Sequence, residues 1–87
     1  MKKITMFIIR SCPFCQDAFR IMEALFKESP EYLALKIEKI DENIYPDIAK
    51  KYDYYYVPTF YVGDEKMHEG AASMKKVKRV FDAALEH

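Results

Sequence analysis

The chain has 87 residues, of which 51% are hydrophobic and 32% charged, as in a soluble globular protein that forms a single domain over residues 1–87. Lys and Arg together number 14, as do Asp and Glu, so the net charge is zero and the basic excess needed for nucleic-acid binding is absent. No window approaches the roughly 18 apolar residues of a membrane span, and the apolar run after Met1 is too short for a signal peptide, so we expect a cytoplasmic protein.

The first part of the chain predicts a strand, a helix and a second strand. A nearly continuous apolar run over residues 3–9 is typical of a strand covered on both faces of a sheet. From Pro13 onward apolar residues recur at helical spacing, and the helix is expected to end at Ser29-Pro30, because the residue before a proline avoids the helical region. Residues 33–40 mostly alternate apolar and polar side chains, which predicts the second strand.

A short helix and a third strand follow. The segment Asp41-Glu42-Asn43 supplies N-cap candidates for a helix that has Pro46 in its first turn. A tyrosine-rich loop over residues 52–56 then leads to Pro58 and to a strand over Thr59-Phe60-Tyr61-Val62.

The last part predicts a hairpin and a third helix. A turn at Gly63-Asp64 joins the third strand to a short fourth strand around Lys66-Met67-His68. Ser73 is expected to cap a helix whose inward residues are Met74, Val77, Phe81, Ala84 and Leu85. The order is β-α-β-α-β-β-α, with the first two strands parallel and the last two antiparallel.

Both cysteines fall at the predicted strand-to-helix junction, in Ser11-Cys12-Pro13-Phe14-Cys15. A Cys-x-x-Cys in this position is typical of a thiol–disulfide redox site, and in the reducing cytoplasm a lone pair is more often catalytic or metal-binding than structural. We assign Cys12 as the nucleophile, because the helix N-terminus favours its thiolate. Cys15 lies almost one helical turn further on and is assigned as the resolving thiol.

Neighbouring residues are expected to support this pair. Pro13 fixes the helix start, Phe14 offers an apolar contact beside the cysteines, and Arg10 adds positive charge near Cys12.

A structural disulfide and a metal site are the alternatives to a redox site. Structural zinc requires four ligands, and beyond the two cysteines only two histidines remain, so we expect no metal held by one chain.

The order of the elements, with Cys12-Pro13-Phe14-Cys15 after the first strand and Val57-Pro58-Thr59 before the third, resembles the thioredoxin/glutaredoxin superfamily over essentially the whole chain. The size and the Cys-Pro-aromatic-Cys motif are similar to glutaredoxins, whereas Ile40-Asp41-Glu42-Asn43 and Gly70-Ala71 are similar to thioredoxins. The resemblance implies an α/β thioredoxin fold, in which a four-stranded mixed sheet carries helices on both faces.

The same resemblance implies a glutaredoxin-like thiol–disulfide oxidoreductase that reduces protein or glutathione mixed disulfides, serves electron transport and cell redox homeostasis, and binds no cofactor. Its partners would be disulfide-containing proteins and either glutathione as co-substrate or a thioredoxin-reductase-type flavoprotein using NADPH. Glutaredoxins usually carry a lysine where this chain has Ile9, and a Gly-Gly where it has Gly70-Ala71, so a glutathione-independent, thioredoxin-type reductant is one alternative. An iron–sulfur cluster carrier, with Cys12 from two chains, is another. We otherwise expect a monomer.

The resemblance also implies substrate-binding residues. Val57-Pro58 would be a cis peptide opposite the cysteines, with the backbone of Val57 pairing with an extended substrate. Among Tyr54-Tyr55-Tyr56 at least one side chain should be exposed, and Tyr56 is our choice for substrate contact. Ala71, Ala72 and Ser73 precede the last helix, where free N–H groups can receive a carboxylate, although Ser73 alone is explained as an N-cap. Leu85-Glu86-His87 is either the helix end or a tag remnant.

Overall fold

The computed structural model describes residues 1–86, so the His87 part of the tag-remnant interpretation lies outside it. The four strands are β1 (Ile4–Ile8), β2 (Ile37–Asp41), β3 (Thr59–Val62) and β4 (Glu65–Glu69). The three α-helices are α1 (Pro13–Glu28), α2 (Pro46–Ala49) and α3 (Met74–Leu85), and a 3₁₀ helix covers Pro30–Ala34. Within this part of the chain no helix is long and apolar enough to cross a bilayer.

The sheet has the order β2-β1-β3-β4. β1 pairs with β2 in parallel and with β3 antiparallel, and β3 pairs with β4 antiparallel. All five residues of β1 are buried, as its apolar run predicts for a strand with neighbours on both sides. The predicted element order and mixed sheet are confirmed.

Each face of the sheet is covered. On one face Ile4, Met6 and Ile8 of β1 join buried residues of α1 and α3 in the main core. On the other face Phe7 packs with Ile40 and Tyr61 under α2 and the tyrosine-rich loop. Alternation of side chains along β1 therefore separates a large core from a smaller aromatic one, and the expectation of helices on both faces is confirmed.

Aromatic rings join α1, α3 and the 3₁₀ helix in the main core. The Phe81 ring stacks on Phe26, with centroids 5.6 Å apart, and meets Tyr32 edge-on at 5.2 Å. Tyr32 is 2% exposed, and its hydroxyl donates a hydrogen bond to Asp82 at 2.5 Å. Burial, together with this bond to a carboxylate, raises the pKa of the Tyr32 phenol. The buried hydroxyl is thus satisfied while its ring fills the core.

The second strand begins later than the alternation predicts. Residues 33–40 were assigned to a strand, but residues up to Ala34 are helical and β2 starts at Ile37. Pro30 occupies the first turn of the 3₁₀ helix, where its missing N–H is not needed. Tyr32 and Leu35, three residues apart, are buried, whereas Leu33 is 68% exposed. The buried pair thus has the three-residue spacing of a 3₁₀ helix, and Leu33 is an exposed apolar residue that only imitates the alternation of a strand.

The buried face of α3 differs from the prediction at the start of the helix. Val77, Val80, Phe81 and Ala84 are buried, at the spacing of one helical stripe. Met74 was predicted to face inward but is 40% exposed, because core contact begins one turn after the helix N-terminus. Val80, which the prediction omitted, is fully buried.

Candidate functional site

Both cysteines lie where β1 passes into α1, as predicted. Cys12 is the N-cap residue, with extended backbone angles of φ −72° and ψ 126°, and Pro13 follows as the first helical residue. The Cys12 carbonyl accepts hydrogen bonds from the N–H groups of Cys15 and Gln16, both at 3.0 Å. The Cys12 side chain makes no capping hydrogen bond, so it lies at the helix N-terminus without being bonded to the free N–H groups there.

The two thiols differ in environment. They lie 4.3 Å apart and are not joined by a disulfide. Cys12 is half-buried, whereas Cys15 has no exposed surface and accepts a hydrogen bond at its Sγ from the Ile9 N–H at 3.5 Å. Burial raises the pKa of Cys15 to about 11, with the Ile9 N–H acting in the opposite direction. Cys15 is therefore held as a neutral thiol beside an accessible Cys12.

We expect iodoacetamide to label Cys12 and to spare Cys15 in the folded protein. At about pH 8, a thiol whose pKa is about 11 is only about one-thousandth ionised, and the side chain is also sealed from solvent. Mass spectrometry of a digest after a timed alkylation measures both sites. Protein unfolded in guanidinium provides the control, since both cysteines should then react. Equal labelling of the two sites in the folded chain would contradict the assignment of roles.

Asp41 anchors the loop that carries the cysteines. Its Oδ2 accepts the Arg10 N–H at 3.0 Å and its Oδ1 accepts the Asn43 N–H at 2.9 Å. The first of these bonds, followed by the second, lowers the pKa of Asp41 below its usual value. The N-cap role predicted for the Asp41 segment is wrong, because α2 is capped by Tyr45 and Asp41 is buried at the end of β2.

The position of Asp41 near the cysteine loop could have been predicted from the strand topology. Ile8 pairs with Asp41 in parallel, and the carboxyl ends of parallel strands emerge at the same edge of a sheet. Arg10, predicted as active-site support, lies in the anchored loop with its side chain exposed. Its backbone carbonyl accepts a hydrogen bond from Gln16 Nε2 at 2.7 Å, which fixes the loop against α1.

Phe14, also predicted as support, is 54% exposed beside the cysteines.

The Val57-Pro58 peptide is cis, as predicted. Because Phe7 pairs with Thr59 across the antiparallel β1–β3 ladder, the loop after β1 and the segment before β3 emerge at the same edge of the sheet. Pro58 is buried, and half-buried Val57 and Cys12 both pack against the main core. The fold thus brings the cysteine loop and the cis-proline segment together.

The three consecutive tyrosines have different surroundings. Tyr54 is half-buried, stacks on Phe7 with centroids 4.8 Å apart, and donates a hydroxyl hydrogen bond to Glu42 at 2.8 Å. Burial raises the pKa of the Tyr54 phenol above its usual value. Tyr55 and Tyr56 are 84% and 70% exposed. The expectation that at least one of them is exposed is confirmed, and substrate contact by Tyr56 stays a prediction.

Residues 71–73 lead into α3. Ser73 is its N-cap, and its hydroxyl accepts the Lys76 N–H at 3.2 Å, which confirms the capping prediction. His68 of β4 lies close to this segment, with its Nε2 3.0 Å from the Ala71 carbonyl oxygen. Carboxylate binding by residues 71–73 stays a prediction, as does a cluster shared between two chains. Among residues 1–86, no three Cys, His, Asp or Glu side chains are grouped to hold a metal ion.

Neither a protein-family model nor a curated protein matches the sequence. Solved structures do match. A structure described as a malarial protein superposes with a TM-score of 0.68 at 16% identity, covering 94% of each chain. An uncharacterized thioredoxin-like protein from Clostridium perfringens gives a TM-score of 0.69 at 23% identity, covering 97% of this chain and 71% of that one. Thioredoxin O1 from Arabidopsis thaliana, in its oxidized state, gives 0.65 at 22% identity, covering 95% and 77%. The chain therefore has a thioredoxin fold, as predicted.

Proposed function

We propose that this thioredoxin-fold chain is a glutaredoxin-like thiol–disulfide oxidoreductase that reduces protein or glutathione mixed disulfides in the cytoplasm as a monomer. The observation that carries the proposal is the pairing of a half-buried Cys12 at a helix N-cap with a sealed, protonated Cys15 only 4.3 Å away. Thiol–disulfide exchange needs one accessible thiolate and one thiol that reacts second, and this pair offers that asymmetry.

In the first step the Cys12 thiolate attacks one sulfur of the substrate disulfide. A Cys12–substrate mixed disulfide forms, the substrate S–S bond breaks, and the departing thiolate takes a proton. In the second step Cys15 loses its proton and attacks the Cys12 sulfur. The Cys12–substrate S–S bond breaks, and the second substrate sulfur leaves as a thiolate that takes a proton. The new Cys12–Cys15 disulfide stays oxidised until a thiol or flavoprotein donor supplies two electrons.

The raised pKa of Cys15 fits this order of events. Burial is its main cause, but the negative charges of Cys12 and Asp41 also raise it. Once Cys12 is bound in a mixed disulfide it carries no charge, so one of these causes disappears. Cys15 then loses its proton more readily at the stage when its thiolate is required.

An extended protein substrate would reach Cys12 along the cis-proline segment. The backbone of Val57 would pair with an extended stretch of substrate, Pro58 would shape this contact, and Tyr56 would stack on a neighbouring side chain. The segment Ala71-Ala72-Ser73 would receive a carboxylate of glutathione at the N-terminus of α3. The role of residues 56–58 is supported by their position at the same sheet edge as the cysteine loop. The role of residues 71–73 is supported by their position at the start of α3.

A paired turnover assay on a small disulfide tests the proposal. One arm supplies glutathione, glutathione reductase and NADPH, and the other supplies thioredoxin reductase and NADPH. We expect turnover in the glutathione arm, and Cys12→Ser protein should show none. Turnover only in the second arm would establish the thioredoxin-type alternative, which Ile9 and the absent Gly-Gly favour. Turnover in neither arm, with Cys12 still alkylatable, would refute the oxidoreductase function.

A further inference from the structure

Glu69, the last residue of β4, binds the backbone of the tyrosine loop. Its Oε2 accepts the N–H groups of Tyr55 and Tyr56, at 2.5 and 2.9 Å, and its Oε1 accepts Lys66 Nζ at 2.9 Å. Lys66 first, and then the two N–H groups, lower the pKa of Glu69 to about 2. The side chain is therefore a fully ionised carboxylate with three donors around it at neutral pH.

Further hydrogen bonds hold the rest of the same segment. The Tyr56 carbonyl accepts the Thr59 hydroxyl at 2.5 Å, and the Pro58 carbonyl accepts the Gly70 N–H at 2.9 Å. Tyr55 and Tyr56 lie outside any strand, so neither N–H belongs to a sheet ladder. Without Glu69, the N–H groups of Tyr55 and Tyr56 would lose the carboxylate that they bind, and these two bonds from Thr59 and Gly70 would be left to hold residues 55–58.

The anchored segment is also the exposed one. Tyr55 and Tyr56 present 84% and 70% of their surface to solvent, immediately before the cis-proline that shares a sheet edge with the cysteine loop. An aromatic pair on a fixed backbone offers contact area at low entropic cost, whereas the same pair on a mobile loop must first be ordered. Fixing this backbone therefore raises the affinity for any ligand that lies across it.

We propose that Glu69 is a positioning residue that fixes Tyr55–Pro58 for docking of extended polypeptide disulfides. The inference rests on the proposed function, since it concerns the substrate side of the same site. An extended peptide would contact Tyr55, Tyr56 and the backbone of Val57, whereas a small disulfide would reach Cys12 without using the segment. Glu69 thus separates protein substrates from small ones by its effect on KM.

The test compares a disulfide-linked peptide with hydroxyethyl disulfide as substrates of wild-type and Glu69→Ala protein. We expect the ratio of peptide KM to small-disulfide KM to rise roughly 3- to 10-fold in the variant, with kcat for the peptide little changed. Glu38→Ala is the matched control, because it removes the acidic partner of the exposed Lys3 ion pair on β2 and should leave this ratio unchanged. The alkylation rate of Cys12 reports whether the cysteine loop is intact.

An unchanged KM ratio in Glu69→Ala, or an equal rise for both substrates, would overturn the inference. If Glu69→Ala does not fold, Glu69→Thr replaces it, since a β-branched residue suits the end of β4 while its short side chain cannot reach the two N–H groups. We then expect the same rise in the ratio, and no rise would overturn the inference. Wild-type protein that turns over neither disulfide would instead refute the proposed function, so the two failures are distinguishable.

Discussion

Replacing Cys12 by serine is expected to lower the turnover of disulfides at least about a thousandfold, because a hydroxyl cannot replace the thiolate that attacks the substrate. The change replaces one sulfur atom by oxygen at a half-buried position, so the variant should retain the far-ultraviolet circular dichroism of the parent. Turnover in the more active arm of the paired assay gives the rate. A variant that keeps more than a tenth of the activity would exclude Cys12 as the nucleophile.

Cys15→Ser is the matched control, since it changes the same kind of group three residues away. This variant still carries out the first step, so the covalent adduct between Cys12 and the substrate should accumulate. Intact-protein mass spectrometry detects that adduct and its release by a reductant. If Cys12→Ser accumulated the adduct and Cys15→Ser did not, the roles of the two cysteines would be reversed.

Phe81→Ala is expected to lower the free energy of unfolding by about 3–5 kcal/mol, the usual cost of truncating a buried phenylalanine. The ring is fully buried and contacts Phe26 and Tyr32, so α1 and the 3₁₀ helix both lose their aromatic contact with α3. Small domains are stable by only about 5–15 kcal/mol, so this loss is a large part of the total. Urea denaturation followed by circular dichroism measures it.

Leu33→Ala is the control for that loss. Leu33 is 68% exposed, so its truncation should change the free energy of unfolding by no more than about 0.5 kcal/mol. A loss below about 1 kcal/mol for Phe81→Ala would show that the junction of α1, α3 and the 3₁₀ helix does not hold the core together.

Features with a local cause could be predicted from the sequence. The 3.6-residue spacing after Pro13 placed α1, and the two cysteines with two residues between them placed the site at its start. The cis-proline was predicted from resemblance to a superfamily, since local chemistry alone permits a trans peptide as well. The β2 start was misplaced because Leu33 continues the apolar alternation of Leu35 and Ile37, although it is exposed and lies in a 3₁₀ helix.

The hydrogen bonds of the Asp41 and Glu69 carboxylates could not be predicted from a local sequence pattern. Asp41 binds an N–H group 31 residues earlier in the chain, and Glu69 binds two that lie 13 and 14 residues earlier. An isolated acidic residue has the same appearance in sequence whether it is solvated or accepts backbone N–H groups. Only the folded path of the loops decides which, and that path depends on long-range strand pairing.

The central position of β1 has a consequence for synthesis on the ribosome. Ile4 pairs with Ile37 and with Val62, so the first strand to be made needs partners made much later. At typical elongation rates the interval to residue 62 is roughly 3–12 s. Over that interval the sheet that buries Cys15 has not formed. Both thiols are therefore accessible until β3 pairs with β1, and the difference in their exposure arises only with that pairing.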